Sequence, residues 1–464
     1  MTAHPPLLDD IVPETEEIAA QASPLPWPSS GQAWKTLWIL SAVLGLSQVD
    51  RNILSLLVTP IKTDLHLNYA QIGLLTGAAF SAVYLITSFP LSRITDVWIR
   101  KAMIAIGVTV WSLSTAACGL AGGFWQMFAA RAGVGAGESV NAPATYALLA
   151  DSFPRDKLPR AMAILNLGFV VGGTGFSLFV GGLVIAALDH VHVSLPGVGA
   201  LKTWQLVFMA IGLPGLLIAA LVLWIQEPQR RGVAGKAAAV GTVPISEVFA
   251  FLVRNGRLYG CLFAAVFIDG VVIYGGTALR QPFFQLTYHW KAQQMGMVLG
   301  LVSIVTSPFA LFAGTWLAER WNKKYEDANM RLAIVARVFA IPFTVAGPLM
   351  PNPWLSVACT SAAAAIVLVA TPALGAALQS MTPNNVRAQV NSIYLMLFSG
   401  ITAVIGPWLI GWLTDLMHDD TKLRYVLAAT AAVGSPIALA IMCFTIKPYG
   451  EIIARIKAEE AQAA

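Results

Sequence analysis

Ser92-Arg93-Ile94-Thr95-Asp96-Val97-Trp98-Ile99-Arg100-Lys101 follows the second of a series of long apolar stretches, and about 220 residues later Gly314-Thr315-Trp316-Leu317-Ala318-Glu319-Arg320-Trp321-Asn322-Lys323-Lys324 follows the eighth. In each, an acid precedes a basic pair at a matched position, so the chain carries an internal repeat. A duplicated unit of six apolar stretches predicts an all-α membrane protein with twelve transmembrane helices in two pseudo-symmetric six-helix halves.

The surrounding sequence agrees. Of 464 residues, 57% are hydrophobic and only 11% charged, where a soluble domain has about a quarter charged. Stretches of about 20 apolar residues, enough to cross a bilayer as helix, run near 34–57, 72–91, 103–120, 124–150, 161–188 and 204–224, then 259–283, 295–317, 334–349, 354–378, 393–413 and 425–444. Residues 1–32, rich in Pro, Asp and Glu and without the basic-then-apolar layout of a cleaved leader, read as a disordered cytoplasmic tail. The six-helix halves are expected over 33–226 and 257–446. Between them, 227–256 is a linker with a surface helix near Ser246–Val253, and 447–464 is a second cytoplasmic tail.

With both termini cytoplasmic, the inner loops hold Arg93, Arg100, Lys101, Arg155, Lys157, Arg160, Arg230, Arg231, Arg320, Lys323, Lys324 and further basic residues. The outer loops hold only Lys62, Lys202, Lys291, Lys422 and Arg424. That asymmetry satisfies the positive-inside rule for a plasma (inner) membrane protein. The net charge of +5 therefore reports topology and implies no nucleic-acid partner. Cys118, Cys261, Cys359 and Cys443 fall inside apolar spans, where a thiol packs as a small hydrophobe.

Ionisable groups inside a span are costly unless paired or hydrated, which makes them functional candidates. Asp50 and Arg51 interrupt the first span. In the fourth, Arg131 and Glu138 stand seven residues apart, two helical turns, on one face of a glycine-rich helix. A buried carboxylate near an arginine can alternate between ion pair and protonated acid, so Glu138, then Asp50, are the candidate proton carriers. Arg51 and Arg131 hold either those carboxylates or an anionic group of the substrate. The alternative is a fixed network that only locks helices together. In the second half, Asp269, Tyr274 and Arg280 are candidate substrate contacts. Arg280 and Arg337, nearer span ends, either face the cavity or snorkel to the interface. The His190, His192, His418 and Asp419 region offers no fixed four-ligand geometry, so no metal is expected. The glycine run at 133–137 lacks the strand and downstream acid of a dinucleotide loop, and no cofactor is expected. No Ser-His-Asp set or phosphate loop is found, which disfavours an enzyme.

The repeated loop resembles the cytoplasmic signature of the major facilitator superfamily, Gly-x-Leu-Ala-Asp-Arg-x-Gly-Arg-Arg, departing from it at Ser92, Val97 and Ile99 in the first copy and with Glu319 for Asp in the second. The resemblance implies a secondary transporter, working as a monomer by alternating access. It also implies a cytoplasmic gate in which Asp96 and Glu319, with Arg100, Lys101 and Arg320, hold that side closed while the site faces outward. Val49-Asp50-Arg51-Asn52, the run from Arg131 to Glu138 with Pro143 to Pro154, and Thr382-Pro383-Asn384-Asn385-Val386-Arg387 with Gly406-Pro407 are similar to the Spinster branch. That likeness implies lipid-like, amphipathic or anionic cargo moved with protons, with Asp50, Arg51, Arg131 and Glu138 lining the cavity. Asp269 and the Ala278–Gln281 segment have no place in the Spinster pattern, and uptake of a small organic or sugar acid, clamped by Arg51, Arg131 or Arg280, stands as the alternative.

On the gate assignment, Asp96→Asn is expected to impair transport in proteoliposomes while leaving membrane insertion and yield unchanged; full transport would remove Asp96 from the gate.

Overall fold

The computed structural model describes residues 27–154, 156–196, 199–230, 244–383 and 386–463. Most of the expected N-terminal tail and the middle of the expected linker lie outside the described residues. The first span begins earlier than its apolar stretch, at Ser30–Leu56, because Ser29 and Gln32 form a reciprocal capping box that satisfies the first free amides of the helix.

Among the described residues eleven further spans follow in order. Nine of the helices among the described residues are long and apolar enough to cross a membrane. They are the second (Tyr69–Thr95), third (Arg100–Cys118), sixth (Thr203–Leu223), seventh (Gly256–Tyr288), eighth (Ala292–Asn322), ninth (Ala328–Leu349), tenth (Pro353–Met381), eleventh (Gln389–Leu416) and the twelfth, which falls within Asp420–Arg455. The other three spans are interrupted by polar groups or breaks. The first carries Asp50 and Arg51. The fourth is split into Phe124–Glu138 and Asn141–Ser152, since Pro143 has no amide to give the Ser139 carbonyl. The fifth is split into Leu158–Val171 and Ser177–Leu188 by a wide turn in which Gly173 leaves helical geometry. The seventh span has 33 residues, about 50 Å at 1.5 Å per residue. It therefore extends well beyond a hydrocarbon core about 30 Å thick.

The amphipathic helix Ile245–Arg254 precedes the seventh span. Val248 is buried against the second half while Phe249 and Val253 are exposed, the arrangement of a helix lying along an interface.

Two seams join the halves: the second span packs on the eleventh and the fifth on the eighth. Both seams are backbone-close. A Cβ on Gly73 would run into the Pro407 carbonyl, one on Gly411 into the Tyr69 carbonyl, and one on Gly296 would sit 2.6 Å from the Leu178 oxygen. Wide π-type turns at Leu74–Ala78, Gly172–Phe176 and Met396–Ile401 all fall on these seam helices. Such turns insert a residue into the helical ladder and mark places where a helix can shift.

The halves do not meet equally at both ends. Away from the termini, one apolar cluster crosses between them, uniting Ile53, Leu56 and Tyr69 with Leu279, Phe283, Phe284 and Ile410. There Lys62 Nζ lies 2.6 Å from Asp420 Oδ2, and Asp415 accepts the amides of Tyr69 and Ala70 at 2.9 and 2.8 Å, capping the second span. Thr59 also bonds Gln285. Toward the termini the buried clusters belong to one half each. The molecule is closed at the far end.

Gly411→Val forces overpacking at a backbone contact, which costs about 1–3 kcal/mol, and is expected to lower the thermal unfolding midpoint in detergent. Gly45→Ala, where an added Cβ meets nothing within 4 Å, should leave it unchanged; equal effects would show that the seam is not tightly packed.

Candidate functional site

Adjacent residues on a helix point about 100° apart, and Asp50 and Arg51 take different surroundings accordingly. Arg51 reaches the fourth span, where its Nε lies 2.7 Å from Glu138 Oε2; the Arg51 side chain stays 33% exposed while that of Glu138 is 1% exposed. The guanidinium also rests over Phe80 at 4.7 Å and Tyr84 at 5.3 Å from the ring centres, a cation–π cradle supplied by the second span. Arg131 does not pair with Glu138. Seven residues share a face but lie about 10.5 Å apart along the axis, so Arg131 turns instead to the first span. Its Nη1 donates to the Asp50 carbonyl at 3.3 Å, and its guanidinium packs 5.7 Å from the Phe80 ring centre.

Asp50 is fully buried. Thr115 and Trp111 of the third span face its carboxylate, yet neither Asp50 oxygen closes a hydrogen bond of normal geometry. The same holds for Ser112, Asn141, Thr145, Arg131 Nε and Glu138 Oε1. Buried polar atoms are nearly always paired, so this concentration between the first, third and fourth spans sets the region apart from the packed core. Sequence inspection missed Thr115, Trp111, Asn141, Phe80 and Tyr84. Each is unremarkable alone, and nothing in their spacing announces that they converge.

In the second half Arg337 forms an ion pair with Asp269, joining the ninth span to the seventh. Arg337 does not snorkel to the interface, because Asp269 holds its guanidinium inside the half. Asp269, Arg337 and Arg280 all line a cavity of about 390 Å³ between helices of the second half, together with Thr277, Ser303, Thr306, Ser307 and Ser361. Tyr274 is not among its lining residues; its ring packs edge-on against Phe398 of the eleventh span. The candidate substrate residues of the sequence reading therefore fall in three places: Arg51 and Arg131 in the first half, Asp269 and Arg280 at the second-half cavity, and Tyr274 beside the eleventh span.

At the termini end, Arg100 pairs with Asp151. The backbone amides of Arg100 and Lys101 each donate to the Glu227 carboxylate at 3.0 Å, an acid placed at a helix N-terminus, and Lys101 Nζ donates to the Ile225 carbonyl at 3.0 Å. The first basic pair is thus bound within its own half. Glu319 and Arg320 are exposed, with Arg320 resting 5.5 Å over the Trp316 ring centre. The Asp96 side chain lies outside the described residues. No cluster of three His, Cys, Asp or Glu side chains occurs among the described residues.

Residues 40–407 match the model of the Major Facilitator Superfamily. The chain belongs to the major facilitator superfamily. Its function is transmembrane transport of a small molecule, and it is a multi-pass membrane protein. It is 24% identical over 411 residues to an MFS-type efflux pump of Mycolicibacterium smegmatis, covering 87% of this chain and 91% of that one. Over 414 residues it is 23% identical to a hexuronate transporter of Bacillus subtilis, covering 85% and 90%. It also matches protein spinster homolog 1 of Xenopus tropicalis, 23% identical over 64% of this chain, which spans only 56% of that relative's length. A bacterial homologue of the human lysosomal transporter Spinster, solved inward-facing and unoccupied, superposes with TM-score 0.76 at 21% identity over 92% of this chain and 98% of its own. The likeness to the Spinster branch read from the first, fourth and eleventh spans thus has counterparts in both sequence and fold.

Removing one partner of the Arg51–Glu138 pair leaves the other buried or half-buried without its counter-charge, which destabilises more than removing both. Arg51→Gln and Glu138→Gln are each expected to lower the unfolding midpoint in detergent, and the double variant to recover part of that loss. A double variant no better than the sum of the singles would show that the two side chains do not interact.

Proposed function

We propose that this protein is a proton-coupled secondary transporter for an organic anion, with Glu138 as the proton carrier and Asp50 as a second protonatable site. The carrying observation is the Arg51–Glu138 pair, in which a nearly inaccessible carboxylate meets an arginine that remains one-third exposed. Protonation of Glu138 neutralises the carboxylate and releases the Arg51 guanidinium; deprotonation restores the pair. Because a charge without a partner is costly inside a membrane, the two states favour different helix arrangements, and that difference couples proton movement to alternating access. The unpaired polar atoms around Asp50 give protons a polar route between the first, third and fourth spans.

The orientation that suits the basic loops puts both termini in the cytoplasm, so the closed far end faces outward and the arrangement is inward-facing. Outward opening then requires Lys62 to leave Asp420 and Asp415 to release the second span. Asp96, Arg100, Lys101, Glu319 and Arg320 close the cytoplasmic end in that state, Arg100 and Lys101 exchanging their present partners. The protein works as a monomer in the plasma membrane.

For cargo, kinship with the Spinster branch supports an amphipathic anion. The second reading, a small organic or sugar acid, is supported by the hydroxyl-bearing cavity beside Arg280 and by likeness to the hexuronate transporter.

The test is cargo-dependent proton flux in proteoliposomes loaded with a pH-sensitive dye, comparing wild type with Glu138→Gln across lysophospholipids, fatty acids and sugar acids. A pH change that depends on cargo and disappears in Glu138→Gln is expected. Cargo movement without any pH change would end the coupling mechanism.

A further inference from the structure

The buried and half-buried arginines of the two halves are not equivalent. Arg51 is neutralised by Glu138 and Arg337 by Asp269. Arg131 is 1% exposed, shares its buried site with the Asp50 carboxylate and donates to the Asp50 carbonyl. Arg280 differs from all three. It lines the second-half cavity, and no carboxylate or hydrogen-bond acceptor meets its guanidinium among the described residues. With Asp269 and Arg337 cancelling each other, the cavity carries one net positive charge, and Arg280 supplies it.

The rest of the lining distinguishes among anions. Thr344, Thr360 and Thr430 turn their hydroxyls back to the carbonyls of Ala340, Ser356 and Val426. Thr277, Ser303, Thr306, Ser307 and Ser361 make no such bond among the described residues, so their hydroxyls remain available to the cavity. Alanines and branched aliphatic side chains complete the wall. A volume of about 390 Å³ lies near the lower end of the range of roughly 300–1,000 Å³ typical of small-molecule sites.

We infer that this cavity is the anion subsite of the cargo, and that it takes a compact hydroxylated carboxylate whose carboxylate pairs with Arg280 and whose hydroxyls meet the serine and threonine side chains. The inference rests on the second cargo reading above, the small organic or sugar acid, and assigns it a place: cargo charge is read in the second half, apart from the protonatable pair in the first. A guanidinium with no internal partner is suited to this, since a carboxylate can bind it in a forked pair without first displacing an acid of the protein.

The test uses full-length protein in detergent, treated with the arginine reagent phenylglyoxal, with modification of Arg280 followed by mass spectrometry. D-Glucuronate is expected to protect Arg280, and D-glucose, with the same ring hydroxyls but a neutral hydroxymethyl in place of the carboxylate, to leave it reactive. Binding of D-glucuronate measured by calorimetry should weaken by at least about tenfold in Arg280→Gln, the scale of a lost charge-assisted hydrogen bond, and be partly kept in Arg280→Lys. Glu138→Gln should still bind D-glucuronate. Arg280 that reacts equally with and without D-glucuronate, or an Arg280→Gln variant that binds within about twofold of wild type, as for a lost surface contact, would overturn the assignment. Protection by decanoate or lysophosphatidate but not by D-glucuronate would overturn the compact, hydroxylated class. Because binding is read without proton movement, intact protection alongside absent proton flux would count against the coupling mechanism alone.

Discussion

A carboxylate or guanidinium inside a bilayer is tolerated only where another helix supplies its complement, and much of this molecule follows from that constraint. Arg51 and Glu138 tie the first span to the fourth; Asp269 and Arg337 tie the seventh to the ninth. Each half therefore contains an ion pair buried within its bundle that ties two of its spans together at a definite depth and rotation, and in the first half Arg100 and Asp151 add a second tie between the third and fourth spans. Apolar packing cannot do this as sharply in lipid, where a leucine gains little by choosing a protein neighbour over an acyl chain.

Between the halves the logic is different. The seams of the second span with the eleventh, and of the fifth with the eighth, rely on glycine to bring backbones together, and on wide turns that loosen the helices along the same surfaces. The polar locks Lys62–Asp420 and Asp415 over the second span's first amides sit at one end. Ion pairs thus tie spans together within each half, while the surfaces between the halves meet through close glycine contacts and are latched at one end.

The two halves also divide the polar chemistry. The first concentrates buried polar atoms without partners around Asp50 among the described residues, and the second holds a cavity lined by one cation, Arg280, that meets no carboxylate among the described residues. The two halves, marked by the repeated loops, therefore differ in content while sharing a frame.

The class of protein, the number of spans and the internal duplication were legible in the sequence because hydrophobic stretches of membrane-crossing length and a repeated loop are local signals, and lipid forces each stretch to be helical. The charged residues at 50, 51, 131, 138, 269 and 280 stood out for a related reason, being rare against an apolar background. Pairing was not legible. That Glu138 meets Arg51 across 87 positions and leaves Arg131, on its own helical face, to the first span depends on how two helices cross, and that Arg337 turns inward to Asp269 depends on the ninth span packing against the seventh. Composition and periodicity fix which face of a helix a side chain leaves from, but partners, cavities and uncompensated charge arise only when several such faces converge, so these features were decided by the tertiary structure alone.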